Sequence, residues 1–397
     1  MLYNDDCLTV LKTLPNDTID MIYLDPPFFT QKTQALQDAT GNRYTFSDIW
    51  SSRTQYLDYM KTRLEEMKRV LKKTGSIFFH CDSTSSHYLR VLLDQVFGEK
   101  NFRSEIIWVY KRWSNSRNGL LPNHQTIFFY SKSNSYKFHK QYGDYSFTTN
   151  IDQLQQERIR DKAGKSVYKR TLEGTVAVSK EKKGVPLSDV WEIPFLNPRA
   201  KERTGYPTQK PIELLDRILT ISTDEGDCVL DPFCGSGTTL VSARLLKREY
   251  IGIDINPDAI RLCYQRLAVP YKTSSALLKK GIAAYQTKSE EILSILKQFD
   301  CDVVQRNQGI DALTRKHYCG SPIAIKIQKS DESFGEAIQL LYRSVQRKKF
   351  TFALLLTHET NWQDSYIIPQ NIIVLPRYEA QLQSILEKIL GPQALSG

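Results

Sequence analysis

The stretch VLDPFCGSGTT, Val229 to Thr239, passes from a short apolar run through an acidic residue into a glycine loop and a pair of threonines. Cys228-Val229-Leu230 reads as a buried strand, and the residues after the loop, through Leu246, read as a helix. Gly235 and Gly237 permit positive φ and let the backbone approach a ligand closely at the start of that helix. A phosphate loop would end in Gly-Lys-Ser/Thr and a dinucleotide loop would read GxGxxG, whereas the string here is GSGTT. The next apolar run, Tyr250 to Asp254, ends in a carboxylate at about the spacing at which an acidic side chain takes ribose hydroxyls in nucleoside-binding folds. Loop and carboxylate together imply an adenosine-containing cofactor.

Working outward, DMIYLDPPFF (Asp20 to Phe29) places a second apolar strand, Met21 to Leu24, before a carboxylate and two prolines. Pro26 and Pro27 lack backbone donors and cannot continue a central strand, so it stops at Asp25. Ligands in open α/β sheets bind outside the carboxyl ends of strands, so this rigid turn holds a carboxylate, exposed carbonyls and an aromatic ring toward a cleft. A helix is predicted over Gln55 to Leu71 with Gly75 as its stop, then a strand Ser76 to His80, a helix His87 to Phe97 and a strand Ile106 to Tyr110. Helices follow at Ile212 to Ser222 and Asp258 to Leu267. The alternation predicts an α/β class with a doubly wound, Rossmann-like sheet.

The chain has 397 residues, 41% of them apolar, enough for two or more domains. Its expected boundaries are 1–270 for the α/β domain, 271–298 for a polar helical linker, and 299–397 for a small α/β domain with strands near 323–327, 352–356 and 372–375. Net charge is +10, and from Lys111 to Val190 there are 15 lysines and arginines against 7 acidic residues. That segment, 111–190, also breaks the regular patterning and is laced with aromatics, as a nucleic-acid-binding insertion would be. The seven cysteines form no CxxC pair and no Cys/His zinc spacing, so reduced thiols and no metal are expected. No export leader opens the chain and no run of about 18 or more uncharged apolar residues occurs, so a soluble cytoplasmic protein with no membrane attachment is expected.

With these motifs in hand, the chain resembles the S-adenosylmethionine-dependent amino-methyltransferases of DNA. Asp25-Pro26-Pro27-Phe28 looks like their catalytic tetrapeptide, Asp231 to Gly237 looks like their cofactor loop, and TGYPTQKP (Thr204 to Pro211) is similar to the stretch that completes the methionine end of the pocket. The tetrapeptide precedes the cofactor loop with the basic insertion between them, which resembles the circularly permuted β-type order.

The resemblance implies transfer of a methyl group from S-adenosyl-L-methionine to adenine N6 or cytosine N4, with the first Asp leaning toward adenine. Asp25 and Pro26 would receive the amino N–H groups, Pro27 would stiffen the turn, and Phe28 would stack on a flipped base, with Phe29 left to packing. Cofactor contacts would come from Asp231, Phe233, Gly235, Gly237, Thr238, Thr239 and Asp254, with Asp6 at the adenine and Lys210 at the methionine end. The family's glycine before that acidic residue is Asp5 here. Partners implied are double-stranded DNA, a second copy of the chain and a cognate restriction endonuclease. Arg112, Trp113 and Arg117 are candidate phosphate or base contacts.

Gln308 to Gln328 distantly resembles a nuclease fold in which an Asp and a (Glu/Gln)-x-Lys strand hold a metal. Here Asp311 is present, but the order is Lys326-Ile327-Gln328 and a second carboxylate is missing, so a non-cleaving accessory module is expected. Other readings are an RNA or protein-amide methyltransferase, and a DNA-binding regulator with a silent pocket. A nicotinamide oxidoreductase is disfavoured because no hydride-transfer constellation accompanies the glycine loop.

Overall fold

The computed structural model describes residues 1–37, 43–110, 119–143, 156–177, 184–197, 200–274, 286–359, 362 and 366–377. The chain divides into two compact units, Met1–Lys279 and Lys280–Gly397.

The first unit is built on an eight-stranded sheet in the order Leu2–Tyr3, Glu249–Ile253, Cys228–Asp231, Ile19–Leu24, Leu71–Cys81, His124–Ser131, Phe102–Val109, Val190–Glu192. His124–Ser131 is antiparallel to both neighbours, and every other pairing is parallel. All six residues of Ile19–Leu24 are buried because the two faces of the strand enter different cores. Ile22 and Leu24 join a cluster with Tyr56, Met60, Leu64 and Met67 of the helix Arg53–Val70. Met21 and Tyr23 face the helix Ile212–Ser222 through Leu215 and Ile218. Burial on both faces is why this strand reads as a continuous apolar run.

Cys228–Asp231 and Ile19–Leu24 lie side by side, with Leu230 opposite Ile22. From this pair the chain winds outward in opposite directions, to Glu249–Ile253 on one side and Leu71–Cys81 on the other. That is the topological switch point of a doubly wound sheet, and it brings Asp25 and Asp231 to one crevice.

Two local expectations are corrected. Gly75 does not stop the helix, which ends at Val70. It lies inside the strand Leu71–Cys81, where an added Cβ would come within 2.8 Å of Leu71 and 2.9 Å of the Asp20 carbonyl oxygen. Close backbone approach requires glycine there. The basic segment 111–190 is also not a single insertion, because its His124–Ser131 portion is a central strand with Ile127 to Ser131 buried. The short TIFFY run was obscured by polar flanks.

This strand has a further consequence for the segment. Ser131 pairs with Ser76, which lies opposite Met21 near the amino end of Ile19–Leu24, so the chain leaves Ser131 at the end of the sheet opposite to Asp25. The connection from Tyr110 to Asn123 leaves from the carboxyl end of Phe102–Val109, on the Asp25 side. Arg112, Trp113 and Arg117 lie outside the described residues.

The second unit holds a five-stranded sheet in the order Cys301–Val303, Ala312–Tyr318, Ser321–Ile327, Ala353–Thr357, Ile372–Pro376. The helix Glu290–Leu296, within the expected linker, buries Ile292, Ile295 and Leu296 against this sheet. Residues 275–285 of that expected linker lie outside the described residues. Asp311, Lys326 and Gln328 are all buried, each with protein partners. Asp311 is paired with Lys288 and accepts from the Ile327 amide at 2.7 Å. Lys326 pairs with Glu332 at 3.0 Å, and the Gln328 amide donates to Glu359 at 2.9 Å. Among the described residues no helix is long and apolar enough to cross a membrane.

Candidate active site

Asp25, Asp231 and Asp254 stand at the carboxyl ends of three adjacent strands and line one cavity of about 330 Å³. The cavity is also lined by Asp6, Pro26, Pro27, Phe28, Lys210, Phe233, Gly235, Thr238 and Thr239. Gly237 sits behind the lining, packed against Cys263.

The Pro-Pro turn is held from outside the motif. Asp48 is buried, and its carboxylate accepts from the Phe28 amide at 3.0 Å and the Thr30 hydroxyl at 2.8 Å. The Trp50 indole donates to the Phe28 carbonyl at 3.3 Å. Phe28 lines the cavity, while Phe29, also half-buried, packs against the core beside Tyr56. Asp48→Ala is therefore expected to loosen the turn, raising KM for DNA and lowering kcat by about tenfold or more, as misplacement of a reacting group does. Affinity for the cofactor should be unchanged. Steady-state kinetics with calorimetry check this, and equal losses in both would show a general folding defect.

Asp25 presents its two oxygens differently. Oδ2 pairs with the Lys210 ammonium, while Oδ1 is buried with no hydrogen-bond partner among the described residues. Burial pushes the carboxyl's pKa up, and the Lys210 charge opposes that rise. Lys210, assigned to the cofactor by resemblance, is thus placed on the catalytic-motif carboxylate. Behind Asp25 lies fully buried His80, whose Nε2 is 2.9 Å from the Gln125 Oε1 and whose Nδ1 is 2.7 Å from the Tyr23 hydroxyl. Burial, reinforced by the charge of Lys210, pushes the imidazole well below its usual pKa, so it is neutral.

The glycine loop is held by its own acids. Asp254 accepts from the Gly235 amide at 2.8 Å and the Asn256 amide at 2.9 Å. Gly237 has φ +73°, and an added Cβ would sit 2.7 Å from the Cys263 sulfur. An added Cβ at Gly235 would meet the Tyr206 ring at 3.0 Å. Arg266 donates to the Ser236 carbonyl at 2.6 Å and to the Thr238 hydroxyl at 3.1 Å. The helix Thr238–Leu245 starts without a side-chain cap, so its first turn faces the cavity with its N-terminal dipole available to an anion. At the cavity edge Asp6 caps the helix Cys7–Thr13 and pairs with Arg63 at 2.6 Å.

Asp231 accepts from the Phe233 amide at 3.1 Å, yet burial, against help from Thr239 and that amide, pushes its pKa up to about 7. An unfolded aspartate titrates near 3.9, so between these values the folded chain keeps a proton that the unfolded chain has released. The contribution of this group to stability is present below about pH 4 and is lost as pH rises through about 7. Asp231→Asn is expected to flatten that decline in the cofactor-free protein. Thermal melts from about pH 5 to about pH 8 check it; parallel slopes for variant and wild type would show a normally titrating carboxylate.

Residues the sequence reading missed are Asp48, His80, Tyr206 and Arg266. His80 was visible as a polar residue in the apolar run SIFFHC, and Tyr206 lies inside the quoted TGYPTQKP. Asp48 and Arg266 carry no local signal, since their partners are distant in sequence.

Sheet order, switch-point crevice, proline-stiffened carboxylate and glycine loop define a Rossmann-like methyltransferase of the amino-group-directed class. The chain belongs to the N6/N4 DNA methylase family, which it matches over residues 19–265. It is 32% identical over 262 residues to the Type II methyltransferase M.HpaI of Haemophilus parainfluenzae, covering 66% of this chain and 72% of that protein. It is 32% identical to the Type II methyltransferase M.BamHI of Bacillus amyloliquefaciens, over 64% of this chain and 54% of that protein. It is 28% identical to the DNA adenine methyltransferase YhdJ of Escherichia coli K12, over 77% of this chain and 95% of that protein. The second unit lies beyond the family match.

Proposed function

We propose that this chain methylates the exocyclic amino group of a specific base, adenine N6 or cytosine N4, in double-stranded DNA, with S-adenosyl-L-methionine as donor. The observation that carries this reading is the Asp25 carboxylate on its proline-stiffened turn with Phe28, lining one cavity with Asp254 and the glycine loop. The donor supplies an electrophilic methyl group on a sulfonium. Its positive charges suit a pocket lined by six aspartates, its adenosine suits the Gly235 cradle against Tyr206, and its carboxylate suits the uncapped helix start.

In this reading the Asp25 carboxylate and the Pro26 carbonyl accept the two amino N–H bonds of the base. That localises a lone pair otherwise delocalised into the ring and aims it, and the fixed geometry of Pro26-Pro27 keeps the acceptors in place. Phe28 stacks on the base, which must leave the duplex to reach the cavity. Asp254 accepts from the ribose hydroxyls, Asp6 lies toward the adenine, Phe233 packs on the donor, and Asp231, Thr238 and Thr239 receive the methionine end. Gly235 and Gly237 give the backbone room for these contacts. The Asp that opens the tetrapeptide favours adenine.

The chain leaves the sheet after Val109 and returns at His124 on the catalytic side, which makes the connection between them the nearer candidate for base readout. The chain after Ser131 leaves from the opposite end, where Lys132 and Lys137 are paired with Asp17 and Asp227. The second unit is an accessory module. The Type II names of the relatives support a restriction–modification setting with a cognate endonuclease, and a dimer would suit recognition of a palindrome.

Single-molecule sequencing of plasmid DNA from a methylation-free host expressing the chain tests the function. A modified motif absent with the Asp25→Ala variant would establish activity, site and target base together. An unmodified plasmid, from protein that binds S-adenosyl-L-methionine, would overturn DNA as the substrate.

A further inference from the structure

We infer that Lys210 is a positioning residue for Asp25, fixing the orientation and charge of the carboxylate that receives the base, rather than a contact to the cofactor. The inference deepens the proposed function and rests on it.

Lys210 is 6% exposed, its ammonium is on Asp25 Oδ2, and it donates also to the Thr208 carbonyl at 3.3 Å. An ammonium has three donors, so two are committed inside the protein. The segment that carries it is tied down on both sides. The Gln209 side chain accepts from the Thr204 amide at 2.9 Å and donates to the Glu202 carbonyl at 2.7 Å. Buried Glu202 accepts from the Ile212 amide at 2.8 Å, just past Pro211. Lys210 is thus aimed by its own loop.

With Oδ2 on Lys210, the carboxylate cannot turn freely about its Cβ–Cγ bond, and the plane in which it meets an incoming N–H is fixed. The surroundings otherwise work against ionisation. From the neighbouring strand, His80 places Nδ1 at 4.0 Å from Oδ1 but is neutral and engaged with Tyr23. Tyr23 stays protonated through burial. Asp231, Tyr206 and Cys81 interact with Asp25 as like charges when ionised. A buried carboxylate so placed retains its proton unless a cation is paired with it, and a protonated oxygen cannot accept the amino N–H in the same way. Lys210 is the cation paired with it among the described residues.

The test compares wild type, Lys210→Met, Lys210→Arg and the double variant Asp25→Asn/Lys210→Met, reading kcat on DNA against pH and S-adenosyl-L-methionine affinity by calorimetry. For Lys210→Met the acid limb of the kcat profile is expected to move up by about 1–3 pH units, with activity partly recovered at high pH and cofactor affinity unchanged. Lys210→Arg should return the limb toward wild type. The double variant should bind cofactor as wild type does and transfer no more slowly than Asp25→Asn alone, because Lys210 acts through Asp25. A weakened cofactor affinity with an unmoved acid limb would overturn the inference and return Lys210 to the donor. So would a profile unchanged in every respect. Should Lys210→Met fail to fold, the uncharged double variant still reads cofactor affinity, and loss of binding there would count against positioning. Wild type inactive on DNA at every pH defeats the proposed function instead, and the cofactor affinity of the double variant then decides the role of Lys210.

Discussion

Asp25→Asn is expected to lower methyl transfer by about 10²- to 10⁴-fold, the range typical of a group that accepts from the reacting atom, while leaving cofactor affinity within a few-fold of wild type. The carboxylate lines the cavity and has one oxygen on Lys210. An amide of the same shape keeps the volume but is a weaker, neutral acceptor, and one of its ends is a donor that the incoming amino group cannot use. Asp25→Ala should abolish transfer as well but carries a second effect. It leaves the Lys210 ammonium buried and unpaired, a situation that costs about 3–5 kcal/mol when one partner of a buried pair is removed. The alanine variant should therefore melt lower than the asparagine variant at equal inactivity. Tritiated methyl incorporation, calorimetry and thermal melts on the two proteins separate these effects. Joint loss of transfer and cofactor binding in the asparagine variant would place Asp25 at the donor.

Asp254→Ala is expected to weaken S-adenosyl-L-methionine binding by about 10²-fold or more, since two hydrogen bonds to a charged acceptor are each worth about 1.5–3 kcal/mol. The loss has a structural part too. The same carboxylate holds the Gly235 amide at 2.8 Å and the Asn256 amide at 2.9 Å, so its removal frees both the glycine loop and the residue that caps the next helix. At saturating cofactor kcat should recover most of its value, because Asp254 stands apart from the transferring atoms. Initial rates over a wide cofactor range decide this. A kcat that stays low at saturation would mean that the loop, once freed, no longer holds the methyl group in line.

Both predictions rest on strand ends that were legible in the chain. Met21 to Leu24 and Tyr250 to Ile253 are short apolar runs closed by an acid and a turn that contains proline, and such runs identify themselves without knowledge of their neighbours. Phe28 against Phe29 was also separable, since the ring next to the prolines remains at the cavity while the following one packs on Tyr56. Local reading failed where a short signal had two explanations. Gly75 after two lysines looks like a helix stop, yet it is a strand residue pressed against the Asp20 carbonyl. The TIFFY run sits among basic and polar residues, and only its pairing with Leu71–Cys81 and Phe102–Val109 marks it as central sheet.

The amino-acid sequence by itself determined the class of fold, the two motifs and the kind of chemistry, because turn residues, alternation and apolar runs act over a few neighbours and leave a local imprint. What the tertiary structure decided is which distant groups meet them. Lys210 reaches Asp25 across 185 positions, Asp48 closes the proline turn across 20 to Phe28, and Gly235 finds Asp254 across 19. Charge pairing and desolvation act through space at a few ångströms, so the state of the Asp25 carboxylate is set by residues whose nearness no stretch of sequence records.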